Sequence, residues 1–172
     1  MSASSPSPTV LQSIDKAQLL SLLVERLSAE LARVRGQAQR MAEGATHEEA
    51  RAEGDKDMRA TEASYIARGY AERALRLEQA LTQLARLGLR DCGKAGTIQA
   101  SALLELEHAG QRSIYFLVPA AGGEHLSLGQ LQIQTLTPTS PLGRALLGLG
   151  VGDDAEVESP QGARAYEITA LA

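Results

Sequence analysis

The stretch that decides the fold is Ser-Pro-Leu-Gly-Arg-Ala-Leu-Leu-Gly at residues 140–148, continued by Leu-Gly-Val-Gly-Asp-Asp-Ala-Glu-Val-Glu-Ser-Pro-Gln-Gly at residues 149–162. It predicts one short helix set into a β-domain. Ser140 is typical of a helix N-cap, Pro141 of the first helical position, and Gly148 of a left-handed helix exit. A turn at residues 150–153, a short strand and a turn at residues 160–162 are expected to follow.

The sequence on either side of this helix favours a small, mostly antiparallel β-domain over residues 97–172. Alternating apolar and polar residues predict strands at 97–107 and 112–118, joined by a turn, and a third strand at 128–136. Residues 91–96 are interpreted as the linker that precedes this domain. The expected fold class is therefore α+β, because the segment before the linker has helical periodicity.

Residues 13–90 predict two long helices that form an antiparallel coiled-coil hairpin. Apolar side chains recur at heptad spacing in both halves, and neither half can bury its stripe alone. The register that pairs Val34 with Ala74 and Leu27 with Leu81 centres the turn near Gly54. It places an acidic tip at residues 48–57.

Two local features of this N-terminal part are also predicted. A capping-box pattern that begins at Thr46 leaves open a kink or restart of the first helix at that position. Residues 1–12, which are rich in serine and proline at their start, are expected to form a disordered tail.

Composition narrows the class of protein. Only 3% of the 172 residues are aromatic, which suits a hairpin packed with leucine and alanine better than a deep ligand pocket. The single cysteine, Cys92, excludes an internal disulfide and a cysteine-rich zinc site. No run of about 18 apolar residues is present, so no membrane span or membrane partner is expected and a cytoplasmic location is predicted.

Charge is distributed in blocks of opposite sign. Residues 91–172 hold 4 basic and 9 acidic side chains, and residues 43–62 hold 3 basic and 7 acidic ones. The other residues before position 91 hold 10 basic and 5 acidic side chains, a net charge of +5. The pattern indicates a basic helical shaft with an acidic tip, next to an acidic β-domain.

The segment S-P-L-G-R-A-L-L-G, followed by V-G-D, S-P-x-G and Tyr166-Glu167-Ile168, resembles the C-terminal domain of the Gre family of bacterial transcription elongation (transcript-cleavage) factors. The resemblance implies an FKBP-like C-terminal domain behind the hairpin. It also implies bacterial RNA polymerase as the partner, with the hairpin inserted into the secondary channel. The residues implied to dock the polymerase are Ser140, Pro141, Leu142, Gly143 and Arg144.

The hairpin tip carries the second part of the resemblance. Residues 49–55 are similar to the Glu-Ala-Arg-x-x-Gly-Asp of Gre factors, so Asp55 falls on the family's first essential acid. The second acid would fall on Met58, and Asp57 lies one position earlier. The resemblance implies that Asp55 and Asp57 help to hold a second Mg²⁺ shared with the polymerase active site. The chain would then be no enzyme itself, but would stimulate the polymerase's own cleavage of backtracked RNA.

Arg26, Arg33 and Arg40 lie seven residues apart and form a basic stripe beside the helix seam. By resemblance, such a face contacts the backtracked RNA 3′ end through its phosphates, with DNA only an indirect partner in the same complex. The alternative is ion pairing within the hairpin, with Glu72 and Glu78 close by in the derived register. The sequence leaves both interpretations open.

Four alternative functions each agree with part of the sequence. A Gre-like secondary-channel regulator that modulates or inhibits polymerase without stimulating cleavage is favoured by Met58 in place of an acid. A prolyl isomerase would need an aromatic-lined pocket, for which the domain offers only Tyr115, Phe116 and Tyr166. A kinase-regulating relative would have a much shorter hairpin, and a generic coiled-coil adaptor leaves the C-terminal resemblance unexplained. A monomer is expected.

Overall fold

The structure, a computed structural model, describes residues 8–49, 56–160 and 162–172, without the side chains of residues 8, 9, 44–49, 56–61, 63 and 159. The chain divides into two compact units: a β unit of residues 1–23 and 83–172, and a hairpin unit of residues 24–82. The helices are α1 (Pro8–Gln12), α2 (Lys16–Glu49), α3 (Lys56–Ala85), α4 (Cys92–Ala95) and α5 (Pro141–Leu146). The strands are β1 (Leu103–His108), β2 (Gln111–Leu117), β3 (His125–Leu128), β4 (Leu131–Leu136), β5 (Asp154–Ser159) and β6 (Gly162–Leu171).

The hairpin unit is held together by the apolar seam that the heptads predict. Val34 and Ala74 are buried in one cluster with Leu31, and Tyr70, Leu77 and Leu81 pack against it. This confirms the predicted pairing of Val34 with Ala74. The helices run antiparallel, because Lys16 at the start of α2 donates from Nζ to the carbonyl of Arg90, just beyond α3, at 2.6 Å.

Helix α2 continues without a break from Lys16 to Glu49, so the restart at Thr46 does not occur. Extending an existing helix adds one hydrogen bond for each residue fixed, whereas a new start repeats the cost of nucleation. Helix α3 begins at Lys56. The predicted turn near Gly54 lies outside the described residues.

The β unit is built on a six-stranded sheet of order β3-β4-β2-β1-β6-β5. All neighbouring strands are antiparallel except β2 and β4, which are parallel. On one face, Leu104, Leu106 and Ile168 form a core with Leu146 of α5. The α+β fold with a mostly antiparallel sheet is thereby confirmed.

Helix α1 is a correction to the predicted disordered tail of residues 1–12. Residues 8–12 are helical, and α1 contacts β1 and β6. Leu11 is only 1% exposed and Ile14 only 8%. Proline is favoured at the first position of a helix, so Pro8 is well placed, and burial of the two apolar side chains offsets the entropy of ordering a short segment.

Two predicted strand boundaries are wrong. The strand expected from Thr97 begins at Leu103, because Ser101 has φ +71° and the amide of Ala102 bonds to the Gln99 carbonyl in a turn. The strand expected at 128–136 is the hairpin of β3 and β4, in which Gly129 at φ +61° makes the connection. A single run of alternating residues does not distinguish one strand from two with a two-residue turn.

Residues 91–96, the predicted linker, contain α4, whose Cys92 is fully buried.

Candidate functional site

Helix α5 and the loop before it form the most ordered candidate site. The Ser140 Oγ caps the helix by accepting from the Gly143 amide at 3.0 Å, and Pro141 occupies the first turn. Ser140 also donates from Oγ to the Thr137 carbonyl at 2.8 Å, and its amide bonds to the same oxygen at 3.1 Å. The Thr137 carbonyl therefore fixes the angle at which the chain enters the helix.

The exit from α5 also follows the prediction. Gly148 has φ +82°, the left-handed conformation that glycine adopts without steric cost. In the next turn the Gly150 amide donates to Asp153 Oδ2 at 2.7 Å. Local hydrogen bonds thus stabilise the backbone at both ends of the segment. The exposed side chains therefore project from a fixed backbone.

The five predicted docking residues differ in what they offer a partner. Pro141 and Arg144 are exposed, Ser140 and Leu142 are half-buried, and Gly143 is buried. Sequence reasoning missed two apolar side chains that follow in the same segment. Leu147 is 44% exposed and Val151 is 60% exposed. In the sequence, Leu147 precedes Gly148 and Val151 lies between Gly150 and Gly152, which was the available signal that both lie in turns outside the core.

The acidic tip is only partly described. Asp55 lies outside the described residues, and Asp57 lies in the first turn of α3 with its side chain undescribed. Among the described residues, no group of three or more histidine, cysteine or acidic side chains could hold a metal ion. One or two carboxylates still fit a shared Mg²⁺, because this ion prefers hard oxygen ligands and keeps several waters.

The basic stripe lies on the exposed surface of α2: Arg26, Arg33 and Arg40 are all exposed. The acids proposed as internal partners bind other arginines. Glu78 pairs with Arg35 at 2.6 Å, and Glu72 pairs with Arg68 at 3.1 Å.

Among the described acidic side chains, none forms an ion pair with Arg33 or Arg40. The hairpin has a second cross-helix pair, between Arg73 and Glu30. The described ion pairs that join α2 to α3 therefore involve neither Arg33 nor Arg40.

The strands of the β unit carry their acids on the face opposite the α5 core. Cross-strand neighbours Asp154, Glu167 and Glu107 form a row that ends at Arg112. Arg112 donates from Nε to Glu107 at 2.8 Å and lies 3.4 Å from the buried Glu105, and these contacts raise the pKa of Arg112. The acidic side chains of this row repel one another, and their combined negative charge disfavours binding of polyanions here.

The aromatic residues do not assemble a pocket. Tyr115 packs on the α5 side of the sheet, whereas its neighbour Phe116 alternates to the other side and is fully buried. The Tyr166 ring lies 4.7 Å from the ring of His108. Burial, with a smaller contribution from nearby Tyr166, raises the pKa of Tyr115. Because Phe116 lies on the opposite face from Tyr115 and Tyr166, the three aromatic side chains do not line one pocket, which gives no support to a prolyl isomerase site.

None of the described helices is long and apolar enough to cross a lipid bilayer.

Comparison with known proteins shows similarity of this chain to one family. The family model described as "Transcription elongation factor, GreA/GreB, C-term" matches residues 98–172. Transcription elongation factor GreA of Verminephrobacter eiseniae is 33% identical over 127 residues, which cover 72% of this chain and 77% of that protein. GreA of Hyphomonas neptunium is 58% identical over 33 residues, 19% of this chain and about a fifth (21%) of that protein.

Among solved structures, Thermus aquaticus Gfh1 matches with 25% identity and a TM-score of 0.35, over 86% of this chain and 92% of that one. GreA/GreB from Nitrosomonas europaea matches with 19% identity and a TM-score of 0.34, over 55% of this chain and 78% of that one.

Proposed function

This chain belongs to the GreA/GreB family of transcription elongation factors, and we propose that it binds bacterial RNA polymerase and stimulates cleavage of backtracked RNA. The observation that carries the proposal is the 33% identity that extends over 77% of a GreA protein, beyond the C-terminal domain. In this proposal the hairpin enters the secondary channel and the β unit docks outside it. The chain supplies no active site of its own.

The hairpin supports this role through its length and stiffness. At about 1.5 Å per residue, the 34 residues of α2 extend about 51 Å. The seam around Val34 and Ala74 and the two cross-helix ion pairs hold α2 and α3 together in the middle of the hairpin. A rigid pair of helices delivers a short acidic segment at its end with little loss of entropy on binding.

Asp55 and Asp57 are the residues that would hold the shared Mg²⁺ with the polymerase. When bound there, Mg²⁺ would supply stabilisation of the attacking and leaving oxygens of phosphodiester hydrolysis. The carboxylates orient a water for attack, and Arg33 and Arg40 attract the phosphates of the displaced RNA 3′ segment. Because one ligand set is divided between two proteins, the isolated chain is expected to be catalytically silent.

The first prediction concerns the tip. Stalled, backtracked complexes should cleave their RNA faster with this chain, and Asp55→Asn should slow the stimulated cleavage roughly tenfold or more, since a charged ligand is lost. Asp57→Asn should have a similar effect. The measurement is the rate of 3′ transcript shortening on a sequencing gel. Asp154→Asn, at an exposed acid of β5, is the matched control and should retain the full rate.

A second candidate function is a secondary-channel regulator that does not stimulate cleavage. Met58, at the position of the family's second acid, favours it. This candidate predicts that the chain binds polymerase, competes with a cleavage-active GreA and alters nucleotide addition, while transcripts stay intact. Intact transcripts together with polymerase binding would replace the cleavage proposal by this one, and absence of binding would rule out both.

The second prediction concerns docking through the α5 segment. Leu147→Ser combined with Val151→Ser should weaken polymerase binding roughly tenfold, because each exposed apolar side chain that an interface buries contributes hydrophobic free energy. The test is titration of labelled polymerase with the variant. Leu89→Ser, at another leucine with 41% exposure, is the control. Equal losses in both variants would contradict a specific role for the α5 segment.

A further inference from the structure

A cavity of about 560 Å³ lies within the β unit, beside the start of α2 and the residues that follow α3. Three of the residues that line it are cationic, namely Lys16, Arg90 and Lys94; Asp91 is acidic, and the last residue, Ala172, lines it as well. This volume is in the range that holds small organic ligands. The cationic lining contrasts with the β unit as a whole, because residues 1–23 and 83–172 have 10 acidic and only 7 basic side chains.

Lys16 is a cationic group that lines the cavity. Its ammonium donates to the Arg90 carbonyl at 2.6 Å. An ammonium has three donors, and this bond uses one. Burial lowers the pKa of Lys16, while nearby Cys92 and Asp91 act in the opposite direction. A half-buried ammonium with unused donors loses hydration that an anion in the cavity would replace.

The other charges leave Arg90 available as a second anion contact. Lys94 pairs with Asp91 at 3.2 Å, and Asp91 also accepts from the Lys94 amide at 3.1 Å. These contacts lower the pKa of Asp91 and offset the charge of Lys94. Arg90 donates from one guanidinium nitrogen to Gln99 Oε1 at 3.0 Å, which leaves most of its five donors unused.

The remaining wall of the cavity is apolar. Leu11, Ile14 and Leu89 line it, and Leu89 is 41% exposed. No aromatic side chain is among the lining residues that the structure describes. A ligand that fills the cavity therefore needs an anionic group for Lys16 and Arg90, and an aliphatic part for the leucine wall.

We propose that this cavity binds a small phosphate-bearing ligand with an aliphatic portion, held by Lys16 and Arg90 against the wall of Leu11 and Leu89. Phosphate is favoured over a single carboxylate because its three oxygens accept from both cations at once, including a forked contact to the guanidinium. None of the lining residues that the structure describes belongs to the α5 segment or to the hairpin tip, so this proposal does not depend on the cleavage proposal.

The test uses hexyl phosphate, inorganic phosphate and hexanol as probes for the full-length chain, with amide chemical shifts in two-dimensional NMR as the readout. Hexyl phosphate should give saturable shifts confined to residues around 11–16 and 89–94, with higher affinity than inorganic phosphate. Hexanol should give none. Arg90→Gln should weaken hexyl phosphate binding roughly tenfold, the value of one charge-assisted hydrogen bond. Lys16→Met should weaken it further.

Arg144→Gln, at an exposed arginine of α5, is the matched control and should leave the affinity unchanged. Arg90 is exposed, so its variant keeps the test valid even where Lys16→Met disturbs folding. The proposal is overturned by linear, non-saturating shifts with hexyl phosphate, or by equal loss of affinity in Arg90→Gln and Arg144→Gln. Equal affinity for inorganic and hexyl phosphate would contradict the aliphatic part of the ligand.

Discussion

Gly143→Ala should lower the free energy of unfolding of the β unit by about 3 kcal/mol or more, a large loss for a single methyl group. A Cβ at this position would overlap the Thr137 carbonyl oxygen and lie 2.8 Å from the carbonyl carbon. The oxygen is fixed there, because both the amide and the hydroxyl of Ser140 bond to it. Relief of the clash requires backbone movement that breaks the cap of α5.

The measurement is chemical denaturation followed by a probe of the sheet. Gly88→Ala is the matched control in the same unit, because a Cβ there meets no atom within 4 Å. That variant should be neutral or slightly stabilising, since alanine lowers the entropy of the unfolded chain. Equal stability of the two variants would contradict the packing described around Thr137.

The same contact explains why the structure of the segment around α5 is predicted correctly from the sequence. Ser140 is required as both cap and donor, Pro141 fits the first turn, and Gly143 is required because the Thr137 carbonyl occupies the space of a side chain. Each residue satisfies a local requirement that few other residue types meet. Segments of this kind are predicted well from sequence, because their geometry depends little on distant parts of the chain.

The hairpin register was predictable for a related reason. Heptad positions fix which residues face each other, so the pairing of Val34 with Ala74 followed from spacing alone. The ion pairs were not predictable in the same way. Glu78 binds Arg35 instead of a stripe arginine, because long side chains reach about one helical turn along the partner and several choices have similar energies.

The strand boundaries show the limit of periodicity. Ser101 at φ +71° interrupts a run that alternates up to that point, and nothing in the residue type requires that conformation. It follows from tertiary contacts, since the Ser101 amide bonds to the Leu117 carbonyl and its hydroxyl accepts from the Arg90 amide. Such contacts between distant parts of the chain override local propensity.

The candidate functional surfaces also differ in how far the sequence predicts them. The sequence pointed to α5 through its capping residues, which are mainly structural, whereas the exposed apolar side chains Leu147 and Val151 became visible only with the fold. The cavity beside Lys16 was also hidden, because it combines residues from three separate segments of the chain. For Asp55 and Asp57, the assignment still rests on resemblance of the tip sequence.

The second large effect is expected at the N-terminal helix α1, where the sequence favoured a disordered tail. Leu11→Ala should destabilise the β unit by about 3 kcal/mol, the usual cost of removing a buried leucine side chain and leaving a cavity. Leu11 is 1% exposed, and α1 contacts the neighbouring strands β1 and β6. A leucine in a disordered tail would tolerate the same change without loss of stability.

Denaturation with the sheet as probe again measures the effect, and Leu89→Ala supplies a control of the same residue type with 41% exposure. The control should lose less than about 1 kcal/mol, as most surface substitutions do. Equal, small effects at both leucines would show that α1 is not part of the folded unit. A large effect at Leu11 alone makes α1 a structural part of the β unit, because Leu11 is buried there and Leu89 is exposed.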